Sequence, residues 1–168
     1  MKLGESYDLS TGLAPVDLAT AANTGNRLSM VEVTSVDIVV IKGAGTAADD
    51  PVLTLKQHTA AADGDTTDLA VITSYALKTE ATLDGDETWT EVTQSAAATI
   101  TDPGGAGTSA ESQQIVVINV RADQLTPGNT HISLDIADTG TAAQLGAVLY
   151  IVHNHDHAAP SALPAPLR

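Results

Sequence analysis

The stretch from Gln113 to Asn154 constrains this chain most: three apolar segments separated by two loops. Gln114-Ile115-Val116-Val117-Ile118-Asn119-Val120 is β-branched almost throughout, the pattern of a strand covered on both faces. After the turn-like Thr126-Pro127-Gly128-Asn129, His131-Ile132-Ser133-Leu134-Asp135-Ile136 alternates strictly. A period of two puts Ile132, Leu134 and Ile136 on one face and His131, Ser133 and Asp135 on the other. Beyond Asp138-Thr139-Gly140, the run Leu145-Gly146-Ala147-Val148-Leu149-Tyr150-Ile151-Val152 is again apolar on both faces. These are consecutive strands of a β-sandwich, and nothing among them has the form of a catalytic centre.

The strands that precede them are shorter in reach. Arg27–Val33 and Val36–Ile41 read as two strands, with Gly43-Ala44-Gly45 ending the second. Asp49-Asp50-Pro51 turns the chain into Val52–His58, where Leu53 and Leu55 face inward. Leu69–Leu83 fits helical spacing in part, yet its Val, Ile, Thr and Tyr content predicts a strand with a bulge. Asp84-Gly85-Asp86-Glu87 is a turn into the alternating Thr88–Gln94, and Ala96–Ile100 continues extended. Asp102–Gly107 is glycine-rich and reads as the most flexible internal loop, and Arg121–Leu125 as a short helical turn.

About eight strands with frequent turns predict an all-β, antiparallel two-sheet β-sandwich of jelly-roll type. An immunoglobulin-like sandwich is the runner-up, but its Cys-Trp-Cys framework is missing, since the chain has no cysteine. Three regions follow: an extended N-terminal arm over 1–26, the sandwich over 27–154, and a proline-rich C-terminal tail over 155–168. Pro160, Pro164 and Pro166 favour an extended, polyproline-like tail. Leu9, Leu13, Val16 and Leu18 in the first arm, with Leu163 and Leu167 in the second, are the side chains available to dock on neighbouring subunits.

Composition narrows function. The core has no Phe and only one Trp and three Tyr; 27 Ala and 22 Thr accompany the aliphatics. Small side chains bury less apolar area, at roughly 25 cal/mol per Å², so neighbouring subunits are expected to supply further burial. The formal net charge is −14, and no Lys or Arg occurs between Lys78 and Arg121. Such a surface repels phosphate backbones and anionic lipid, so neither nucleic acid nor membrane is an expected partner. The first residues carry no apolar signal-peptide core, and no run approaches a membrane helix, which places synthesis in a cytoplasm.

No motif carries chemistry, and neither enzymatic activity nor a cofactor is expected. His153, His155 and His157 alternate at a strand end and are weak metal candidates; a structural Zn²⁺ needs four fixed ligands. Asp63-Gly64-Asp65 with Asp68, and Asp84-Gly85-Asp86-Glu87, lack the spacing of a Ca²⁺ loop and read as turns. Gly43-Ala44-Gly45 and Gly104-Gly105-Ala106-Gly107 lack the Lys-Ser/Thr that completes a phosphate loop. Trp89 is expected in the core; a sugar platform built from Trp89 and Tyr75 is the alternative.

Gly12–Leu18, Asp84–Trp89, Arg121–Leu125 and Leu145–Ile151 resemble small structural proteins from the virion gene clusters of tailed actinobacteriophages. The resemblance implies a β-rich virion component, most like a capsid decoration (cement) or minor capsid protein. Its implied partner is the major capsid protein, its implied place the capsid surface, and its implied state a homo-oligomer, with a trimer favoured. A carbohydrate- or receptor-binding module, or a tail structural module, is the alternative.

Overall fold

A computed structural model describes residues 7–154 of the chain. It contains eleven strands: β1 (Tyr7–Asp17), β2 (Leu28–Ser29), β3 (Val33–Lys42), β4 (Val52–His58), β5 (Thr66–Asp68), β6 (Ile72–Glu80), β7 (Thr90–Ala97), β8 (Thr99–Thr101), β9 (Gln113–Arg121), β10 (His131–Ile136) and β11 (Leu145–Asn154). A single 3-10 turn, Ala122–Gln124, is the only helical element among the described residues. All strand pairs are antiparallel.

The larger sheet runs in the order β1-β11-β3-β9-β6-β7, and the smaller one β2-β10-β4-β5, with β8 also pairing β4. Thus β5 and β8 lie end to end beside β4, at Lys56–His58 and Val52–Thr54 respectively. The pairs β1 with β11, β2 with β10, β3 with β9 and β4 with β5 nest inside one another. That nesting is compatible with a jelly roll into which β6, β7 and β8 have been inserted. The all-β antiparallel sandwich expected from the sequence is therefore the fold.

Between the sheets lies one aliphatic core. Val36, Ile38 and Val40 of β3, Val116, Ile118 and Val120 of β9, and Val148 and Val152 of β11 face Leu53, Leu55, Ile132, Leu134 and Ile136 of the smaller sheet. Alternate residues point to opposite faces of a strand, so this one set fixes which side chains point outward. Tyr150 sits at the centre of the core, fully buried. Its hydroxyl donates to the Asn26 carbonyl (3.0 Å) and accepts from the Leu134 N–H (3.1 Å). β1 passes directly over the ring, and a Cβ at Gly12 would stand 2.7 Å from both Tyr150 Cζ and Val148 Cγ1.

Several sequence expectations need correction. The N-terminal arm is not separate from the sandwich: Tyr7–Asp17 is an edge strand of the larger sheet, paired with β11 from Tyr7↔His153 to Asp17↔Leu145. Leu18 is 0 % exposed and closes one end of the core, its backbone bonded to Gln144 and Thr139. The domain therefore starts at or before Tyr7 rather than at residue 27. The predicted strand over 27–33 is only the two-residue β2; Glu32 adopts φ 62°, breaking the extended run before β3 begins at Val33. The predicted bulge in 69–83 exists, as a register shift between Ile72 and Ser74. Ala96–Ile100 does not stay in one sheet: the chain changes layers at Ala98, where Gln94 Nε2 donates to both the Ile72 and Thr99 carbonyls. The C-terminal tail, with Leu163 and Leu167, lies outside the described residues.

Candidate functional site

The two sheets present opposite chemistry to their surroundings. On the smaller sheet the outward residues are polar, as the alternation of β10 requires, and they are tied together. His58 Nδ1 is 2.9 Å from Thr66 Oγ1 and Nε2 is 2.9 Å from Ser133 Oγ, which donates to Asp135 Oδ1 at 3.3 Å. Arg27 reaches across the same face to the carbonyls of Ala60 and Asp63 and to Thr66 Oγ1. The Ser133–His58 pair has the atoms of a nucleophile and its base. Its geometry is closed, however: both side chains are buried, and the second ring nitrogen faces a threonine instead of an orienting carboxylate. Burial, reinforced by the positive charges of Arg27, His131 and Lys56, pushes His58 down to about 4.

On the larger sheet the outward residues form cross-strand rows. The first, Tyr7–His153–Ser35–Arg121, is polar. The second joins Leu9 and Ile151 to Asp37 and Asn119. Thr11, Leu149, Val39, Val117 and Ala76 make the third, and Ala147, Ile41, Ile115 and Lys78 the fourth. The centre of this face is thus aliphatic across four strands, and none of the described residues covers it with a second layer. Leu9 (46 %), Ile41 (42 %) and Leu145 (65 %) are among the most exposed large apolar side chains of the molecule. All three belong to this face or its margin, since Leu145 shares the outward parity of Ala147 and Leu149. Contiguous apolar surface on a sheet marks a contact site more often than it marks ordinary scatter.

A polar border closes one end of that face. Asp37 accepts from Asn119 Nδ2 at 2.7 Å and stands 2.8 Å from His153 Nε2, while Tyr7 packs edge-on against the His153 ring with centroids 4.6 Å apart. His153, the one described member of the predicted histidine trio, therefore has a ring nitrogen engaged by a carboxylate; His155 and His157 lie outside the described residues. At the opposite end Lys78 Nζ lies 5.2 Å from the centroid of Trp89. Trp89 is 54 % exposed, which corrects the expectation that it fills the core. Tyr75 is buried, with its hydroxyl accepting from the Gly104 N–H, so the two rings form no joint platform.

The remaining predicted residues divide clearly. Leu13 and Val16 pack against their own core, as Leu18 does, and Leu9 is the described arm residue left largely free. The acidic turn brings Glu80, Asp84, Asp86 and Glu87 within 4.8 Å of one another. Glu87 Oε1 accepts the N–H groups of Asp84 and Gly85, and these backbone donors, that of Gly85 foremost, hold its carboxyl below the usual range. Asp86 above all, with Asp84 and Glu87, raises Glu80. The Glu87 carboxylate thus holds a bend within the connection 81–89 between β6 and β7, a longer link than the tight turn that the Asp-Gly signal predicted.

Sequence reasoning missed a buried polar cluster at the end of the core. Lys42 continues the inward parity of Val40, and its ammonium donates to the carbonyls of Gly43 (3.0 Å) and Ser112 (2.6 Å). Burial lowers it to about 8, against the raising influence of Asp50 and Glu111. The neighbouring loop is anchored rather than loose. Asp102 accepts from Gly107 at 2.7 Å, and Asp50 accepts from Ser109 Oγ at 2.7 Å and Ala110 N–H at 3.0 Å.

Fold and surface together define an all-β sandwich with one polar and one aliphatic outer face. No family model and no curated protein matches the chain. Among solved structures it is similar to the crystal structure of SPBc2 prophage-derived protein YomS, at 9 % sequence identity and a TM-score of 0.43, over 87 % of this chain and 91 % of that one.

Proposed function

We propose that this chain is a non-enzymatic structural protein of a phage virion that binds the major capsid lattice and decorates or stabilises the head. The observation that carries the reading is the aliphatic outer face of the larger sheet. Strands β3, β9 and β11 bear Val, Ile and Leu on both sides, yet only one side meets the core of this subunit. A face of that kind is stable in water when another protein layer covers it. The resemblance to actinobacteriophage virion proteins supplies the identity of the assembly. Repetition over a lattice lets individually weak contacts add up.

The contact surface differs from the arm-based clamp suggested by sequence, because Leu13, Val16 and Leu18 are consumed by the subunit's own packing. The test uses particles and purified chain. Val39→Lys with Val117→Lys places two charges at the centre of the face, on side chains that point away from the core. Strand-type circular dichroism should persist, while occupancy on particles should fall at least tenfold, because an ammonium buried without a partner costs several kcal/mol. Full occupancy by the double variant, or absence of the wild-type chain from capsid fractions, overturns the reading.

The exposure of Trp89 favours a second reading, a carbohydrate- or receptor-binding module, since an open indole stacks on sugars. Glycan binding that disappears on Trp89→Ala would carry it in place of the first.

A further inference from the structure

We infer that two copies of this chain pair through the aliphatic outer faces of their larger sheets, about a two-fold axis that passes Val117. The inference rests on the reading of that face as a contact surface, and names what covers it away from a particle; a lattice contact would replace the second copy.

Charge singles out this face for self-contact. The chain carries a net −14, so most pairs of surfaces repel. Glu91 of β7 stands beside Ala76 in the third row. Besides His153, the charged side chains of the four rows are then Asp37, Glu91, Lys78 and Arg121, two of each sign. Two copies can meet here without net repulsion.

The placement of those charges selects the axis. Asp37 on β3 lies one strand and one row from Val117, and Lys78 on β6 lies one strand and one row away in the opposite direction. They are opposite corners of a grid whose strands stand about 4.8 Å apart and whose rows, two residues apart along a strand, are about 6.7 Å apart. An isologous contact requires a patch that complements itself. A two-fold axis lying in the interface, square to the line from Asp37 to Lys78, sets each copy's Asp37 opposite the other's Lys78. The two Val117 side chains meet on that axis. An axis along the strands would press Lys78 on Ile41, and one across them would press Asp37 on Ile41, burying a charge without a partner.

The same operation matches the rest of the face. Ile115 falls on the second copy's Val39, Leu149 on its Ile41, and Arg121 within about 5 Å of its Glu91. The two sets of strands cross at roughly 70°, near the orthogonal class of sheet packing. Asp37 keeps acceptor capacity beyond its contacts with Asn119 and His153, and Lys78 Nζ is 4.0 Å from Glu87 Oε2, too far for a hydrogen bond. Six strands by four rows make a nearly square face of roughly 770 Å², on the order of the 800 Å² that each partner of a standard interface buries.

Sedimentation of the full-length chain without particles tests this. The parent should be a dimer in the micromolar range. Asp37→Lys and Lys78→Asp should each weaken self-association at least tenfold, with circular dichroism unchanged, because like charges then face each other. An equimolar mixture of the two variants should regain the parent's dimer, since every substituted charge now faces its opposite. Glu91→Lys and Arg121→Glu, on exposed side chains clear of the core, repeat the exchange where folding is not at stake. A parent that sediments as a monomer or trimer, single variants that dimerise as the parent does, or folded monomeric variants whose mixture stays monomeric overturns the inference. Particle occupancy of the Val39→Lys/Val117→Lys chain is read separately: a monomeric parent that occupies particles leaves the capsid reading standing, and a dimer absent from particles leaves this one.

Discussion

At the scale of single residues, Tyr150 links three parts of the fold through one hydroxyl. It satisfies the Leu134 N–H within β10, which is buried, and the part-buried Asn26 carbonyl on the loop before β2. Tyr150→Phe keeps the ring and leaves both groups unpaired, so we expect a loss of about 1–3 kcal/mol in urea unfolding. A second expectation concerns acid. The His58 pKa is depressed from 6.5 to about 4, so between those values the unfolded chain takes up a proton that the folded chain refuses. Stability contributed by neutral His58 is present above about pH 6.5 and is lost as pH falls towards 4, by about 3 kcal/mol in all. Urea unfolding at pH 7 and pH 4.5 should give a smaller difference for His58→Gln than for the parent chain. Neither side chain announced itself in the sequence. The apolar period places Tyr150 inward, but its hydroxyl partners belong to segments 16 and 124 residues away. Trp89 misled for a related reason: the strand pattern around it is genuine, yet β7 begins only at Thr90, leaving the indole on the connecting loop.

At the scale of elements, the central strands were the most legible. Alternation in 131–136 and two-sided apolarity in 115–120 and 145–152 correctly separated the strand with a polar outer face from those with an aliphatic one. What the sequence could not convey was that the second side of β9 and β11 would have no cover within the subunit. β1 was harder to read because its register shifts twice, between Thr11 and Leu13 and between Leu13 and Val16, which destroys the period of two. Gly12 belongs there because the strand must ride over the Tyr150 ring without a Cβ. This strand carries a third prediction. Deleting residues 1–26 would strip the partner from β11 and remove Leu18 from the core, opening buried apolar surface. Cooperative thermal unfolding should be lost. A sharp transition in the truncated chain, within a few degrees of the parent, would mean that β1 is dispensable. β6, β7 and β8 pose a different case. They extend the larger sheet and then cross to β4, and β7 is an edge whose exposed Glu91 discourages further pairing.

At the scale of the whole molecule, the asymmetry between outer faces organises both proposals. The polar face is internally bonded through Arg27, His58, Ser133 and Asp135, whereas the aliphatic face has its hydrogen-bonded network only at the Asp37–His153 border. The acidic composition fits that division, since a net charge of −14 disperses subunits while leaving short-range apolar contact to decide where they meet. The nested pairing has one further consequence, for the order of events at birth. Tyr7 waits for His153, and Leu28 for Ile132, so the first of the described strands is completed by the last. Loop closure over such separations is slow, and until β11 emerges both aliphatic sides of β3 lack their neighbour on that flank. Closure of the larger sheet on this flank therefore waits for β11, and a chain held open at that stage is a natural client for holdase chaperones.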